Sequence, residues 1–553
     1  MSIARNPTCS ILWAAAFAAC AHVPANARET SLVSPYAGPS ATALASRLDS
    51  LFDAPAWDSA RWGVMVTDLA TSRVLYERDG RKGFMPASNL KLYTTAAALD
   101  RFGPEHRFET KLEAAGTVDA DGVLRGHLVI TGSGDPSISG RYAARWRADE
   151  AEAARMSVSI DASTTGILRT WAAAVKAAGI RKIDGAVVAD GSVFDGPDRP
   201  GSWQIDYFDQ WYAAESSGLA FNENCWDAVV KPGARPGEPA VVENPLGTRY
   251  FRLLNHVVTT APKPAPDGAT TAAADSEPEP ALGFQRAGLD SNDIVLTGTI
   301  ALGEAPKTLW GSLHGGDRFS ATLVAEELAR QGVEVTSGAA VIDDPGARPA
   351  EGAARRLVHT HRSEPMARLI AVVNKPSQNF HADMLGRALG AQTSAETTAT
   401  APRRRGSFSN GEKAVRAFLS DAGLPVGEAS GIRLADGSGL SRQDRVTPRA
   451  TIALLARMES RSTATAEAFR VSLPVMGVDG TLEKRGRAGS AKGKVHAKTG
   501  TINSVSSLSG YAEAADGHRL AFSIMANNFT QGTKAATTVQ DQVTEALTAF
   551  RAD

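Results

Sequence analysis

The stretch from Pro86 to Leu99 constrains the fold of this chain more than any other, because it combines a helix with a reactive pair of side chains. Residues 90–99 are rich in good helix formers, and Pro86 and Ser88 are typical of a helix start. Ser88 and Lys91 are three residues apart, so their side chains project from one face of the helix. The spacing predicts a hydroxyl beside an amine at the positive end of a helix dipole.

Two later motifs support a catalytic role for this pair. A serine hydroxyl is a weak nucleophile, and a buried lysine with a lowered pKa can activate it. An isolated S-x-x-K pattern is usually an ordinary amphipathic helix with a surface lysine. Here Ser377-Gln378-Asn379 forms S-x-N and Lys498-Thr499-Gly500 forms K-T-G. In this order the three motifs are the signature of penicillin-binding proteins and class A β-lactamases.

The first two motifs can be given roles in acyl transfer. We expect Ser88 Oγ to attack a carbonyl carbon and Lys91 to take its proton. Ser377 would relay the proton to the leaving amine, and Asn379 would orient either Lys91 or the substrate amide. Taken alone, the serine and asparagine of S-x-N would be better explained as a helix cap.

The K-T-G motif is expected to hold the substrate. Lys498 would supply positive charge for a substrate carboxylate and lower the pKa of the S-x-x-K lysine, although alone it would also fit a solvent-facing strand residue. Gly500 would let a backbone approach the strand edge closely, with Thr499 and Thr501 beside it. The backbone N–H groups of Ser88 and Thr501 are candidates for the oxyanion hole.

The regions around the first and last motifs predict an α/β fold. Residues 62–67 and 73–76 read as an antiparallel strand pair that leads into the Ser88 helix. Residues 495–500, 507–513 and 520–527 predict a strand meander, followed by a helix over 535–550. Strands packed against the helix that carries the nucleophile would form an α/β sandwich.

The long region between the first two motifs is expected to be an insertion. We assign residues 28–103 and 312–553 to the catalytic domain, and residues 104–311 to an inserted region with two nested subdomains. Residues 261–280 predict a low-complexity loop and residues 392–409 a solvated one.

Residues 1–27 predict a secretory signal, with Arg5 in a positive n-region, an apolar core over 11–21 and an A-x-A cleavage site ending at residue 27. The apolar run is too short to span a bilayer. Residues 17–20 also resemble a lipoprotein processing box, so lipid anchoring at Cys20 is the weaker alternative. A periplasmic location follows. After cleavage only Cys225 remains, so no internal disulfide is expected.

Charge and motif content exclude several classes of function. Lys plus Arg number 59 and Asp plus Glu 60, so no nucleic-acid partner is expected, while peripheral membrane association is left open. His359 and His361 form the one close histidine pair and lack partners at zinc-site spacing, so no metal or other cofactor is expected. Residues 132–136 lack nucleotide-binding spacing. No G-x-S-x-G surrounds Ser88, which disfavours an α/β-hydrolase triad.

Five stretches resemble the class C low-molecular-mass penicillin-binding proteins of the penicillin-binding protein 4 type, which are D-alanyl-D-alanine carboxypeptidases and endopeptidases. They are residues 84–91 (FMPASNLK), 132–136 (GSGDP), 374–379 (NKPSQN), 436–442 (DGSGLSR) and 496–501 (HAKTGT). S-Q-N replaces the common S-D-N but keeps its serine and asparagine. The resemblance implies a penicillin-binding or serine β-lactamase-like transpeptidase domain, an antiparallel sheet with helices on both faces. It also implies two further, mostly β, domains nested between the two segments of that domain.

The resemblance further implies a substrate and contacts to it. It implies hydrolysis of peptidoglycan stem peptides and cross-links through a Ser88 acyl-enzyme, with β-lactams as covalent inhibitors. Arg442 is similar to the family's contact with a peptide side-chain carboxylate, and Asp135 to its contact with a diaminopimelate amino group.

Two alternatives remain open at the level of sequence. A β-lactamase or related esterase would use the same motifs, but class A β-lactamases lack such an insertion and need a deacylating glutamate that we cannot place. A catalytically idle envelope-binding module would keep the fold but show degraded motifs or a second transmembrane segment, and the sequence shows neither.

Overall fold

The structure is a computed structural model that describes residues 39–138, 165–262, 281–350, 352–393, 406–424, 426–427 and 430–553. The predicted secretory signal, Cys20 and most of the two predicted loops lie outside these residues. The described helices are α1 (Pro39–Phe52), α2 (Leu90–Phe102), α3 (Gly166–Ala177), α4 (Gly316–Arg330), α5 (Met366–Asn374), α6 (Asn379–Thr393), α7 (Phe408–Asp421), α8 (Pro448–Glu459), α9 (Thr463–Ser472) and α10 (Thr533–Ala549). Helices α6 and α7 extend into the two ends of the predicted loop 392–409.

The described strands fall into a catalytic sheet and the sheets of the inserted region. In chain order they are β1 (Arg61–Asp68), β2 (Arg73–Arg78), β3 (Glu109–Val118), β4 (Val123–Thr131), β5 (Lys182–Asp184), β6 (Val187–Asp190), β7 (Cys225–Lys231), β8 (Val241–Glu243), β9 (Arg252–Asn255), β10 (Val258–Thr260), β11 (Gly283–Arg286), β12 (Asp293–Thr297), β13 (Thr299–Ala301), β14 (Lys307–Ser312), β15 (Glu334–Val335), β16 (Ala339–Val341), β17 (Arg355–Arg362), β18 (Val495–Ile502), β19 (Val505–Glu513) and β20 (Arg519–Asn527).

The catalytic sheet joins the two ends of the chain. Its order is β18-β19-β20-β1-β2, and all four strand pairs are antiparallel. Apolar side chains of α1 and α10 pack on one face, among them Leu48 and Val543. Helices α2, α5, α6 and α8 contribute to a separate core on the other side, with Leu92, Ile370 and Leu455. The predicted antiparallel sheet with helices on both faces is confirmed.

The inserted region has a mixed sheet of its own. The path β15-β5-β4-β3-β17 is extended by β6, which pairs with β4 and β16. Three smaller sheets, built from β7 to β14, share a core with this sheet and with α3 and α4. Cys225 at the start of β7 is fully buried, as expected for a small apolar residue.

The inserted region ends later in the chain than the predicted boundary at residue 312. Strand β17 pairs with β3 from Arg355↔Ala115 to Arg362↔Glu109, so residues up to 362 belong to the sheet of the inserted region. Helix α4 also lies there, since Phe319 and Leu323 are in that core. The boundary at 312 is therefore wrong, because the pairing that defines it joins strands far apart in sequence. We place the second catalytic segment at residues 363–553.

A buried arginine fastens the inserted region to the helix that follows the S-x-N motif. The side chain of Arg387 in α6 is 1% exposed and lies 3.1 Å from a carboxylate oxygen of Asp198. Its guanidinium also donates to the carbonyl oxygens of Asp195 and Ser216 and stacks over the Phe194 ring. These partners all belong to the inserted region, so Arg387 anchors that region beside the second motif.

We expect Arg387→Met to lower the free energy of unfolding by about 3 kcal/mol, because it leaves Asp198 and two carbonyl groups without their cationic partner. Thermal unfolding of the purified protein measures this as a lower midpoint. Lys413→Met, which removes an exposed cation on α7, serves as control and should shift stability by less than about 0.5 kcal/mol. Equal midpoints for the two variants would contradict the assignment of Arg387 as an anchor.

Candidate active site

Ser88 lies on a tight turn at the start of α2. Residues Ala87–Asn89 form a 3-10 turn that continues into the α-helix, so the serine precedes the first α-helical residue. Ala87 has φ +46°, a left-handed conformation that costs energy for a residue with a Cβ. The turn is anchored on both sides, because Asn89 donates to the carbonyl oxygen of Lys498 at 2.8 Å and Ser507 Oγ donates to that of Pro86.

Lys91 is the centre of the site. Its Nζ lies 2.9 Å from Ser88 Oγ, 2.7 Å from Asn379 Oδ1 and 2.7 Å from the backbone oxygen of Ser438. The side chain is fully buried, and this burial lowers the pKa of Lys91 to about 8 despite the opposing charges of three nearby aspartates. A substantial share of the lysine is therefore neutral near physiological pH.

The three neighbours of the lysine favour one arrangement of its protons. Asn379 Oδ1 and the Ser438 carbonyl have no hydrogen to give, so Lys91 must donate to both. A neutral amine has two N–H donors and one lone pair. Once both donors are engaged, the lone pair faces Ser88 Oγ, whose O–H can donate to it. This is the geometry required for proton transfer from the serine.

Ser377 and Lys498 form the second pair of the site. Lys498 Nζ donates to Ser377 Oγ at 2.9 Å and to the Thr499 carbonyl at 2.9 Å. Burial and then the charge of Lys91 lower the pKa of Lys498 well below its usual value. Ser377 has φ +65°, a second strained residue at the site.

The helix-cap explanation of the S-x-N motif does not fit the structure. The N–H of Phe380, near the start of α6, donates to Gln378 Oε1 at 3.0 Å. Ser377 Oγ instead contacts Lys498, and Asn379 Oδ1 contacts Lys91. Gln378 therefore caps helix α6, whereas Ser377 and Asn379 contact the two lysines of the site.

The K-T-G strand lies at the edge of the catalytic sheet. Strand β18 pairs with β19 and ends the strand order. A Cβ added at Gly500 would lie 2.5 Å from the Pro86 carbonyl oxygen and 2.5 Å from Ser507 Oγ, so glycine is required for the strand to reach the Ser88 turn. Thr501 is exposed, and Thr499 Oγ1 lies 2.7 Å from Thr481 Oγ1.

Because of this close contact, we expect Gly500→Ala to displace the Ser88 turn and lower the rate of serine acylation by about 100-fold. Overpacking should also cost about 1–3 kcal/mol of stability. Rapid-quench acylation with a reporter β-lactam and thermal unfolding measure the two effects. Gly532→Ala is the control, because its φ is −62° and an added Cβ would meet nothing within 4 Å. Equal acylation rates in the two variants would contradict the close-packing argument.

The structure gives different results for the two residues that were predicted to contact the substrate, Arg442 and Asp135. Arg442 lies near the K-T-G strand, since its guanidinium donates to the Asn503 carbonyl oxygen at 3.1 Å. Asp135 is only 1% exposed, and its Oδ1 accepts from Ser137 N and Oγ at 2.8 and 2.6 Å. Burial raises the pKa of Asp135 to about 6. A carboxyl group enclosed in this way does not fit the predicted contact with a substrate amino group.

The sequence prediction missed two contributions to the site. The carbonyl of Ser438 comes from the bend at residues 435–439. The carbonyl oxygen of Tyr212, in the inserted region, accepts from Asn379 Nδ2 at 2.9 Å. Sequence motifs could not predict either contact, because both acceptors are backbone carbonyl groups and a pattern of side chains does not show where such groups lie. The same inserted segment carries an exposed carboxylate, Asp206.

Buried carboxyl groups lie behind Lys91. Asp383 accepts from Gly437 N at 2.8 Å, and Asp444 from Ala435 N at 2.6 Å. Burial, followed by the charge of Asp436, raises the pKa of both Asp383 and Asp444 well above the usual range. This raised pKa weakens the tendency of both carboxyl groups to hold Lys91 in its charged form.

Within the described residues, no group of three or more His, Cys, Asp and Glu side chains has the geometry of a metal site. In the same part of the chain, no helix is both long and apolar enough to cross a bilayer.

A serine and a lysine on one helix, an S-x-N turn and a K-T-G edge strand define a serine acyl-transfer enzyme with the penicillin-binding fold. The sequence profile of the D-Ala-D-Ala carboxypeptidase 3 (S13) family matches residues 44–550. The chain belongs to that family.

Relatives and solved structures agree with this membership. The chain is 31% identical over 520 residues to a D-alanyl-D-alanine carboxypeptidase of Actinomadura sp. (strain R39), covering 92% of this chain and 85% of the relative. It is 26% identical over 472 residues to the D-alanyl-D-alanine carboxypeptidase DacB of Haemophilus influenzae, covering 85% and 86%. The crystal structure of penicillin-binding protein 4 (dacB) from Haemophilus influenzae matches with a TM-score of 0.70 and 25% identity, covering 91% of this chain and 97% of the other.

Proposed function

We propose that this protein is a serine-type D-Ala-D-Ala carboxypeptidase that hydrolyses peptidoglycan stem peptides through an acyl-enzyme on Ser88. The observation that carries the proposal is the position of Lys91, which is buried, has a lowered pKa and lies 2.9 Å from Ser88 Oγ. Membership of the S13 family supports the substrate class. A crystal structure of the Haemophilus influenzae relative complexed with a β-lactam motivates the use of these compounds as probes.

In the acylation step, Ser88 Oγ attacks the carbonyl carbon of the penultimate D-alanine and its proton passes to Lys91 Nζ. The backbone N–H groups of Ser88 and Thr501 would stabilise the oxyanion. The C–N bond then breaks, and the leaving amine of the terminal D-alanine takes a proton through Ser377 Oγ, which Lys498 Nζ contacts at 2.9 Å. Water hydrolyses the ester, which releases the shortened peptide and restores Ser88.

Substrate binding is assigned to the edge of the K-T-G strand. The peptide would pair with β18 as an added strand beside Thr499, Gly500 and Thr501. Its terminal carboxylate would approach Lys498, and Arg442 would meet an acidic side chain. Asp206 of the inserted region is exposed, whereas Asp135 is buried, so Asp206 is our candidate for a contact with an amino group of the peptide.

Intact-mass analysis with benzylpenicillin and assay of D-alanine release test the proposal together. We expect one stoichiometric adduct on Ser88, slow loss of that adduct, and D-alanine release from a stem pentapeptide. Fast turnover of the β-lactam without D-alanine release would instead identify a β-lactamase. A folded protein with neither adduct nor product would identify an inactive envelope module. A cross-linked muropeptide in the same assay measures endopeptidase activity, since both reactions share the acylation step.

We also propose that the enzyme acts in the periplasm, where peptidoglycan is found. The signal-like residues 1–27 support this location. Mass analysis of the protein from a periplasmic extract would give its N-terminus at residue 28, or reveal a lipid on Cys20. Recovery of full-length chain from the cytoplasm would contradict the proposal.

A further inference from the structure

One segment of the inserted region contacts Asn379 and Asp436, and these two residues position the acceptors of Lys91. The segment runs from Trp203 to Ala213, and we call it the bridging segment. At its end, the Tyr212 carbonyl oxygen accepts from Asn379 Nδ2 at 2.9 Å. Because the amide nitrogen of Asn379 is directed to that carbonyl, its oxygen is directed to Lys91. The opposite amide orientation would place two donors against each other.

At its start, the bridging segment holds the second acceptor. The indole Nε1–H of Trp203 donates to Asp436 Oδ2 at 2.7 Å. Asp436 also accepts from the backbone N–H groups of Ser438, Gly439 and Ser441 at 3.0, 2.6 and 2.8 Å. The bend that presents the Ser438 carbonyl to Lys91 is thus folded around this carboxylate. Trp203 is the side chain that ties the carboxylate to the inserted region.

Packing holds the Trp203 indole in place beside Asp436. Trp203 is 6% exposed and packs with Ala213 and Leu440. Leu440 directly follows the bend at residues 435–439, so the indole ring also packs against the end of that bend. A hydrogen bond from a buried donor to a carboxylate is stronger than one between neutral groups.

We propose that the indole N–H of Trp203 positions the catalytic lysine, through Asp436 and the bend that presents the Ser438 carbonyl. The inference rests on the proposed function and adds a role for the inserted region in the acylation step. Trp203 does not touch the reacting atoms, so it is a positioning residue.

If Trp203 positions Lys91, its replacement should change the pH dependence of acylation as well as the rate. The groups that act on the charge of Lys91 are Asp383 from α6, Asp436 and Asp444 from the loop after α7, and Lys498 from β18. Without the indole N–H, the negative charge of Asp436 is less compensated and favours the protonated lysine more strongly. The acid limb of the acylation profile should then move to higher pH.

The test compares acylation by benzylpenicillin across pH 6 to 10 in the wild type, Trp203→Phe and a protein with 3-benzothienylalanine at position 203. The last replacement keeps the bicyclic shape but substitutes sulfur for the N–H, so it isolates the hydrogen bond if the phenylalanine variant fails to fold. Tyr207→Phe, in the same aromatic cluster, is the control. We expect a rate about tenfold lower at neutral pH and a displaced acid limb in both Trp203 replacements, with an unchanged profile in the control.

The outcomes separate this inference from the proposed function. If the wild type itself forms no adduct on Ser88, the proposed function fails. If the wild type is acylated and the benzothienylalanine protein has the same rate and the same pH profile, the inference about Trp203 is overturned. A lower rate with an unmoved acid limb would also overturn it, because a purely structural role predicts that result.

Discussion

Ser88→Ala will form no adduct with benzylpenicillin, and its release of D-alanine will fall by about 10⁶-fold, the loss typical of removing an enzyme's nucleophile. Ser88 Oγ is the hydroxyl that contacts Lys91 Nζ, whose other two contacts in the described residues are the Asn379 amide oxygen and the Ser438 carbonyl oxygen. The 3-10 turn does not depend on the hydroxyl, because Asn89 and Ser507 anchor it. The variant should therefore fold normally.

Intact-mass analysis after incubation with benzylpenicillin checks this expectation, together with thermal unfolding. Ser460→Ala is the matched control, since that hydroxyl is exposed and bonds only locally to the Arg457 carbonyl. The control should acquire one adduct at the wild-type rate. An adduct on folded Ser88→Ala, mapped to another residue, would show that the nucleophile lies elsewhere.

Lys91→Met will slow acylation of Ser88 by about 10³-fold, the range expected for the loss of a general base. Methionine fills a similar volume but cannot take the serine proton, and it leaves Asn379 Oδ1 and the Ser438 carbonyl without their donor. In the wild type the pKa of Lys91 is lowered to about 8. The neutral, active form increases as the pH rises through that value, so the acylation rate should rise with it and then level off.

The second-order rate of acylation, measured from pH 6 to 10, tests both parts of this expectation. Lys91→Met should lose the rise near pH 8 as well as the rate. Lys494→Met removes an exposed cation close to the K-T-G strand and should keep the wild-type profile. If Lys91→Met retained the rise, another group would be the base, and Lys498 would be the next to test because its own pKa is also lowered.

The sequence predicted the parts of the site that depend on local spacing. Ser88 and Lys91 adjoin because they are three residues apart at a helix start, and the β18 to β20 meander followed from alternation and turns. The meeting of Lys91 with Asn379, and of Ser377 with Lys498, was inferred from the order of the motifs. The structure brings all five side chains together.

What the sequence did not predict depends on contacts between distant segments. The inserted region extends to Arg362 because β17 pairs with β3. No local pattern in residues 355–362 predicts that β3 is the partner strand. The family resemblance implied a substrate contact for Asp135, yet its oxygens are enclosed by Ser137 and by His361, 3.7 Å away. Trp203 reaches the site through tertiary packing alone.

The pairing of β1 with β20 affects the stage of synthesis at which the active site can form. The nucleophile turn rests on Gly500 and Ser507, and β1, which pairs with β2 on one side, pairs with residues 519–527 on the other. During synthesis these supports are made last, after Ser88, Lys91 and Ser377 have all left the ribosome. Contacts so distant in sequence form late and slowly. A partly made chain therefore carries most of its reactive groups without their positioning, and it gains the ability to cut peptide only when its final strands are in place.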